Sequence, residues 1–292
     1  MLHWHSPDNV SETGIASFTE LLTNPLRQQF QINLVPHDRL NLDTGLHLYN
    51  IGNFYEAHHN IWWNSILHPG IVVLHDVYLL NMFMKLFQRH GNLDQLIEIA
   101  SMIYGENPEK FSSLHEIVKS GTADHRDARL FPFTELATFK ALSVVTHSEY
   151  ASNQVRQKGN IDFHQLYLPY AGSFIAEEEL GIKTEKNVES PINLVIFGFL
   201  WRNRFVLETL ELLTEHDPNN TFHLHLIGKL DDLSLRKEVL QYSERVTFHG
   251  FIPDDEFDPL LRKMDLAINI RMPSMGESSL SLLRCWANGV PC

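Results

Sequence analysis

Only two of the 292 residues are cysteines, Cys285 and Cys292, and both fall at the end of the sequence. Two thiols so placed give neither a disulfide framework nor a Cys-based metal site, and they fit a reducing cytoplasm. No apolar run approaches the roughly 20 residues that a membrane-spanning helix needs. The first residues, Met-Leu-His-Trp-His, lack the basic and then apolar order of a secretory signal. Basic residues are outnumbered, 23 Lys and Arg against 36 Asp and Glu, for a net charge of -13. This excludes a general nucleic-acid binder, which needs a basic face. An anionic ligand must be held by a few local Arg or Lys side chains and backbone donors. A Ser-His-Asp order, a P-loop and a Gly-x-Gly-x-x-Gly fingerprint are also missing.

What is present is an alternation. Short apolar runs at 2–6, 31–36, 46–51, 71–75, 142–146 and 165–168 read as strands. Helical spacing recurs at 14–22, 55–67 and 149–158. This is the rhythm of a parallel sheet with crossover helices. Between about 77 and 141 only helical patterns appear, including 93–104 and 108–119, and the polar stretch 120–129 reads as a loop. Such an insertion fits a lid or acceptor-side wall as well as a plain packing pair. Residues 175–191 are polar and free of strand signals, which marks an interdomain linker. The alternation then restarts, with strands at 192–198, 222–228, 246–250 and 265–270 and helices at 204–215, 231–242 and 254–263. The expected division is an N-terminal domain over 1–174 and a second over 192–292. The latter reads as cut short, because Gly289-Val-Pro-Cys292 should lead into another strand.

Four loops stand where strands give way to helices, the ligand-binding edge of such sheets. The first carries Gly14, the second His75-Asp76, and the third Gly198 followed by Arg202 and Arg204. Glycine permits close approach of a phosphate, and guanidinium forks suit a diphosphate. The fourth is Met275-Gly-Glu277-Ser278-Ser279, expected to open a helix with free N–H groups and two hydroxyls. Each loop alone fits a capped helix or a structural histidine equally well. The 17 histidines include the close pairs His3 and His5, His58 and His59, and His223 and His225, none with a third ligand nearby, so no metal site is expected. Trp62-Trp63 reads as packing surface.

Taken together, these loops carry a resemblance. Ser6-Pro7 with Thr13-Gly14, Gly52-Asn53, Leu74-His75-Asp76, Thr146-His-Ser148, Phe197-Gly-Phe-Leu with Arg202 and Arg204, Gly250-Phe-Ile-Pro-Asp, and Pro273-Ser-Met-Gly-Glu277 through Gly289-Val-Pro come in the order of the retaining GT-B glycosyltransferases of family 4, which the chain resembles over nearly its whole length. The resemblance implies an α/β GT-B fold of two Rossmann-like domains facing a cleft, the second incomplete. It implies transfer of a hexosyl unit from a nucleoside-diphosphate sugar to an acceptor hydroxyl of a glycan, lipid or small molecule, with retention of configuration and without metal or cofactor. Glu277 and His75 would then be catalytic. Gly14, Arg202, Arg204, Ser278 and Ser279 would bind the donor, and Asp76 would lie on the acceptor side. A peripheral membrane contact and the oligomeric state stay open. The chain departs from the family where Arg284 replaces a second glutamate and where Gly276-Glu277 inverts the usual Glu-Gly. A catalytically reduced scaffold module and a sugar-nucleotide epimerase are the alternative readings.

Overall fold

The computed structural model describes residues 1–8, 14–41, 43–105, 108–120, 125–156, 161–170, 172, 174–175, 191–272 and 274–292. They form two compact units, Met1–Pro169 with Ser274–Ser278, and Tyr170–Pro273 with Ser279–Cys292.

The first unit is built on six strands: β1 (Leu2–Ser6), β2 (Ile32–Pro36), β3 (Leu46–Ile51), β4 (Ile71–Leu74), β5 (Ser143–Thr146) and β6 (Phe163–Gln165). They run parallel in the order β2-β1-β3-β4-β5-β6, with Leu2 level with both Ile32 and Leu46. The central strand β4 is the run Ile-Val-Val-Leu, which suits a strand covered on both faces. Val72 and Leu74 enter one cluster with Tyr49, Ile61 and Phe83, while Val73 enters another with Trp4 and Phe18. Helix α1 (Gly14–Leu26) supplies Phe18 to the second face, and α2 (Tyr55–Leu67) supplies Ile61 to the first. Five helices follow β4: α3 (Leu80–Arg89), α4 (Leu93–Tyr104), α5 (Pro108–Ser120), α6 (His125–Leu130) and α7 (Thr134–Thr138). Their Phe83, Leu96 and Leu114, with Phe131 and Phe133 between α6 and α7, join the cluster under β4. Helix α8 (Glu149–Arg156) follows β5.

The second unit alternates β7 (Ile192–Phe197), α9 (Val206–His216), β8 (Phe222–Ile227), α10 (Leu233–Val239), β9 (Val246–Gly250), α11 (Asp254–Leu261), β10 (Leu266–Ala267) and α12 (Leu280–Ala287). Its parallel sheet has the order β10-β7-β8-β9. Leu194 and Ile196 pack with Leu210 and Leu235, while Val195 and Phe197 pack with Phe257, Leu261 and Cys285. The α/β architecture expected from the alternation is therefore what the chain adopts, as two Rossmann-like parallel sheets.

Several expected boundaries move. The stretch read as a loop at 120–129 contains α6, and its residues 121–124 lie outside the described residues, as do Thr13, Pro273 and the linker from 176 to 190. The last strand of the first unit is Phe163–Gln165, upstream of the expected 165–168, because Tyr167 is exposed and does not pair. The strand expected over 265–270 pairs only at Leu266–Ala267. The last helix begins at Leu280. Ser279 is extended (φ -99°, ψ 109°) and its hydroxyl accepts from Leu282 N, so Ser279 is the cap and Glu277 and Ser278 precede the helix.

The histidine pairs also resolve. His3, His5 and His47 meet through a 3.0 Å His5–His47 hydrogen bond and a His3–His47 stack, with His68 stacked on His47. His225 and His249 are hydrogen-bonded at 2.9 Å. Among the described residues no group of three or more His, Cys, Asp or Glu could hold a metal ion, and no helix is long and apolar enough to cross a membrane.

Candidate functional site

In an open parallel sheet, the crevice for a ligand opens where the strand order reverses, outside the carboxyl ends of the strands. In the first unit that point lies between β1 and β3, and in the second between β7 and β10.

At the first reversal, Ser6 ends β1, Asn50 is the penultimate residue of β3, and His75 follows β4. Ser6 and Thr19 hydroxyls lie 2.6 Å apart, the Asn50 amide donates to Thr19 Oγ1 at 2.8 Å, and His75 Nε2 meets Asn50 Oδ1 at 3.1 Å. The His75 ring lies edge-on to Phe18, with ring centroids 4.8 Å apart, and 5.1 Å from the ring of His147. Burial, with His147 and His58 alongside, holds His75 well below the usual imidazole range, so it is neutral near pH 7. His147 is held low by burial too, although its Nδ1 donates to the Leu166 carbonyl at 2.9 Å. Gly14 opens α1 and is exposed.

Asp76 has a structural task. Its Oδ2 accepts from Asn53 N at 2.7 Å, and Asn53 Oδ1 accepts from Met82 N at 3.1 Å at the start of α3. A side chain at Gly52 would press on Asp76, His58 and Ile15 together, which is why that corner is glycine.

The pentapeptide Ser274–Ser278 packs within the first unit. The Met275 carbonyl accepts from Val77 N (2.8 Å) and Tyr78 N (3.2 Å), directly after His75-Asp76. Gly276 sits at φ 76°, and a Cβ there would overlap the Val77 side chain, so a glycine immediately before Glu277 is required by this turn. The Glu277 carboxylate turns back on its own loop, with Oε2 accepting from Met275 N at 2.6 Å and from the Ser274 hydroxyl at 3.1 Å.

The second reversal is built around a buried cation. Arg204 is 4% exposed and closes a 3-10 turn, Arg202–Arg204. Its Nη1 donates to Asn269 Oδ1 at 3.1 Å, and Asn269 Nδ2 donates to Ser279 Oγ at 3.0 Å, which ties the ends of β7 and β10 to the cap of α12. Phe205, at φ 57°, carries backbone strain between the turn and α9. A Cβ on Gly228 would overlap the Gly198 carbonyl, so the β7 and β8 ends come together only with glycine there.

Arg202 does not share this arrangement. It is exposed, and its guanidinium is engaged by Asp232 (3.2 Å), Ser234 (2.8 Å) and Glu238 (2.7 Å) around α10. The two arginines expected to act together thus part within three residues, because the 3-10 turn points one inward and one outward. Arg284 is likewise structural. Its Nε donates to Asp258 at 2.6 Å and its guanidinium lies 3.9 Å over Phe257, fixing α12 on α11. A cavity of about 290 Å³ lined by Trp4, Thr19, Glu20 and Arg27 lies beside α1 and holds none of the expected site residues.

Thr19 and Asn50 escaped the motif reading, whereas His147 and Asn269 fall in stretches that carried the resemblance but were given no role. The available signal was a polar side chain at the end of an otherwise apolar strand, as in Leu-His-Leu-Tyr-Asn50-Ile, since a buried amide must find partners.

This fold, two Rossmann-like units with parallel sheets and loops at both switch points, is that of the GT-B glycosyltransferases. Residues 191–292 match the family model of the group 1 glycosyl transferases. The chain is similar to WaaG, a glycosyltransferase involved in lipopolysaccharide biosynthesis (TM-score 0.57, 9% identity, covering 100% of this chain and 80% of that one). It is also similar to Anabaena Alr3699/HepE in complex with UDP and glucose (TM-score 0.54, 13% identity, 99% and 79%). Against the pneumococcal O-GlcNAc transferase GtfA it spans 41% of that chain and 84% of its own, with a TM-score of 0.49 and 9% identity. No curated protein matches the sequence.

Proposed function

We propose that the protein is a glycosyltransferase that moves a hexosyl unit from a nucleoside-diphosphate sugar to an acceptor hydroxyl, with retention of configuration. The match of residues 191–292 to the group 1 glycosyl transferases, on a GT-B fold, carries this reading. HepE was crystallised with UDP and glucose, so uridine-diphosphate hexoses are the first donors to test.

Arg204, the capping hydroxyl of Ser279 and the N–H groups that open α12 suit a diphosphate, whose charge rises as it leaves. Donors already in place stabilise that charge without reorganising and without a metal ion. The neutral His75 suits a sugar hydroxyl, and Gly14, at the start of α1, permits the close approach of a phosphate. Glu277 is the carboxylate assigned to the sugar, and Ser278 assists at the phosphates. Asp76 would act on the acceptor side through the loop that it anchors. Arg202 is left out, because its donors are taken by α10.

The test is a panel of nucleoside-diphosphate hexoses with the full-length protein, following release of the diphosphate and the anomeric configuration of the product by NMR. Failure to bind or hydrolyse any of them sinks the proposal. A second reading, a binding module that has lost catalysis, is favoured by one observation, the folding of the Glu277 carboxylate onto its own loop. Donor binding by calorimetry without turnover would select it.

A further inference from the structure

The hydrogen bonds at the first switch point fix where the protons are. Thr19 Oγ1 lies 3.0 Å from the carbonyl of Ile15, which can only accept, so the Thr19 proton is committed there. Asn50 must then meet Thr19 with its NH₂ group, and Ser6 must donate its hydroxyl to the same oxygen. With its amide so oriented, Asn50 turns Oδ1 toward His75. An amide oxygen only accepts, and the proton of the neutral His75 ring must therefore sit on Nε2. Among the described residues the other nitrogen, Nδ1, has no hydrogen-bond partner, and His75 is only partly buried.

We propose that Thr19 and Asn50 are positioning residues that lock His75 as its Nε2–H tautomer, so that it offers the Nδ1 lone pair to a ligand hydroxyl. The first turn of α1, one residue beyond Gly14, thereby sets the hydrogen-bonding sense of a histidine some 60 residues away in sequence (75 against 15). The consequence for recognition is specific. A lone pair takes a hydrogen bond from a hydroxyl and repels a phosphate or carboxylate oxygen, which has no proton to give near pH 7. His75 would thus read a hydroxyl of the sugar and stay away from the diphosphate. Hydrophobic contact with Phe18 and the nearby, likewise neutral His147 keep the ring from becoming a cation that would attract anions. The identity of the ligand as a sugar rests on the glycosyltransferase reading above, whereas the tautomer does not.

The experiment is a long-range ¹H–¹⁵N correlation spectrum of the ¹⁵N-labelled full-length protein, with His75 assigned by its loss in His75→Gln. The expected result is a protonated Nε2 and an unprotonated Nδ1 at pH of about 7, where a free imidazole would exchange between forms. Thr19→Val removes the acceptor for the Asn50 amide and should bring in the Nδ1–H tautomer, and Thr19→Ser should restore the original one. In a protein that turns over its donor, Thr19→Val should lower turnover by about tenfold, Thr19→Ser should recover it, and saturating UDP-hexose should shift the Nδ1 resonance. A protonated Nδ1 in the unmodified protein overturns the proposal even if Thr19→Val does not fold. So does an unchanged tautomer in a folded Thr19→Val, or an Nδ1 resonance indifferent to a donor that is being consumed. The expected tautomer in a protein that binds no sugar nucleotide would support the Thr19–Asn50 lock while removing the transferase reading.

Discussion

The two switch points solve the same topological problem with opposite chemistry. In the first unit the Ser6–Thr19–Asn50–His75 relay is neutral, made of hydroxyls, an amide and an imidazole held uncharged by burial. In the second the edge is cationic, with a buried guanidinium braced by Asn269 and a helix cap. A neutral relay discriminates by which partner carries the proton, and a buried cation discriminates by charge. In the function proposed above, the first edge would take hydroxyls and the second phosphate oxygens.

The largest expected effects fall on turnover, one in each unit. Arg204→Ala and Glu277→Ala should each lower turnover by about a hundredfold or more with the fold retained, as read by steady-state kinetics and circular dichroism. Near-normal rates for both would mean the site is elsewhere. The contrast sharpens with calorimetry: Arg204→Ala should weaken UDP binding strongly, while His75→Gln should leave UDP affinity nearly unchanged and reduce turnover. Equal losses of UDP affinity would erase the distinction between the units.

Acid should part them next. Burial, then His47 alongside, holds His5 at about 3, and burial holds His58 at about 4. An unfolded chain takes up these protons from about pH 6.5 downward, whereas the folded unit does so only near those lower values. The unfolded state binds more protons in that window, so this stability is fully present above about 6.5 and declines as the pH falls toward 4. In the second unit Asp217 is held at about 2 against its burial by Thr221, Phe222 and Arg245, and that contribution is lost only as the pH falls from about 3.8 to 2. His223 and His249, half-buried there and also held low by burial, give a smaller early loss. Hydrogen-exchange protection, corrected for the intrinsic pH dependence of amide exchange, should therefore fall between pH 7.5 and 5.5 more in β1 and β3 than in β7 and β8.

Smaller effects follow. Ser279→Ala removes the cap of α12 and should cost about 1 kcal/mol of stability in urea titration, together with weaker UDP binding. Arg202→Ala, which breaks only exposed ion pairs, should change turnover by less than about threefold; a loss as large as that of Arg204→Ala would return Arg202 to the diphosphate site.

Much of this was legible beforehand because it depends on periodicity. Short apolar runs rich in β-branched residues, such as Ile-Val-Val-Leu, fit strands covered on both faces, and their alternation with amphipathic segments points to parallel sheets with crossovers. The positions of Gly14, His75, Arg204 and Glu277 at strand ends followed from the same pattern. Helix α6 was not legible, since six residues, His125–Leu130, are too few to show a period. The start of α12 was misjudged because Glu277, Ser278 and Ser279 are all acceptable near a helix N-terminus, and only the backbone angles single out the cap.

The sequence by itself determined the α/β class, the two sheets and the loops at which ligands should meet them, because burial on a strand or helix is written in the spacing of apolar residues. The tertiary structure alone decided that Arg204 turns inward while Arg202 turns out, that Arg284 braces Phe257 and Asp258, and that His75 faces Asn50. These are questions of which distant donor meets which acceptor. Spacing along the chain is silent on them until the sheets have brought Ser6, Ile15, Thr19, Asn50 and His75 together.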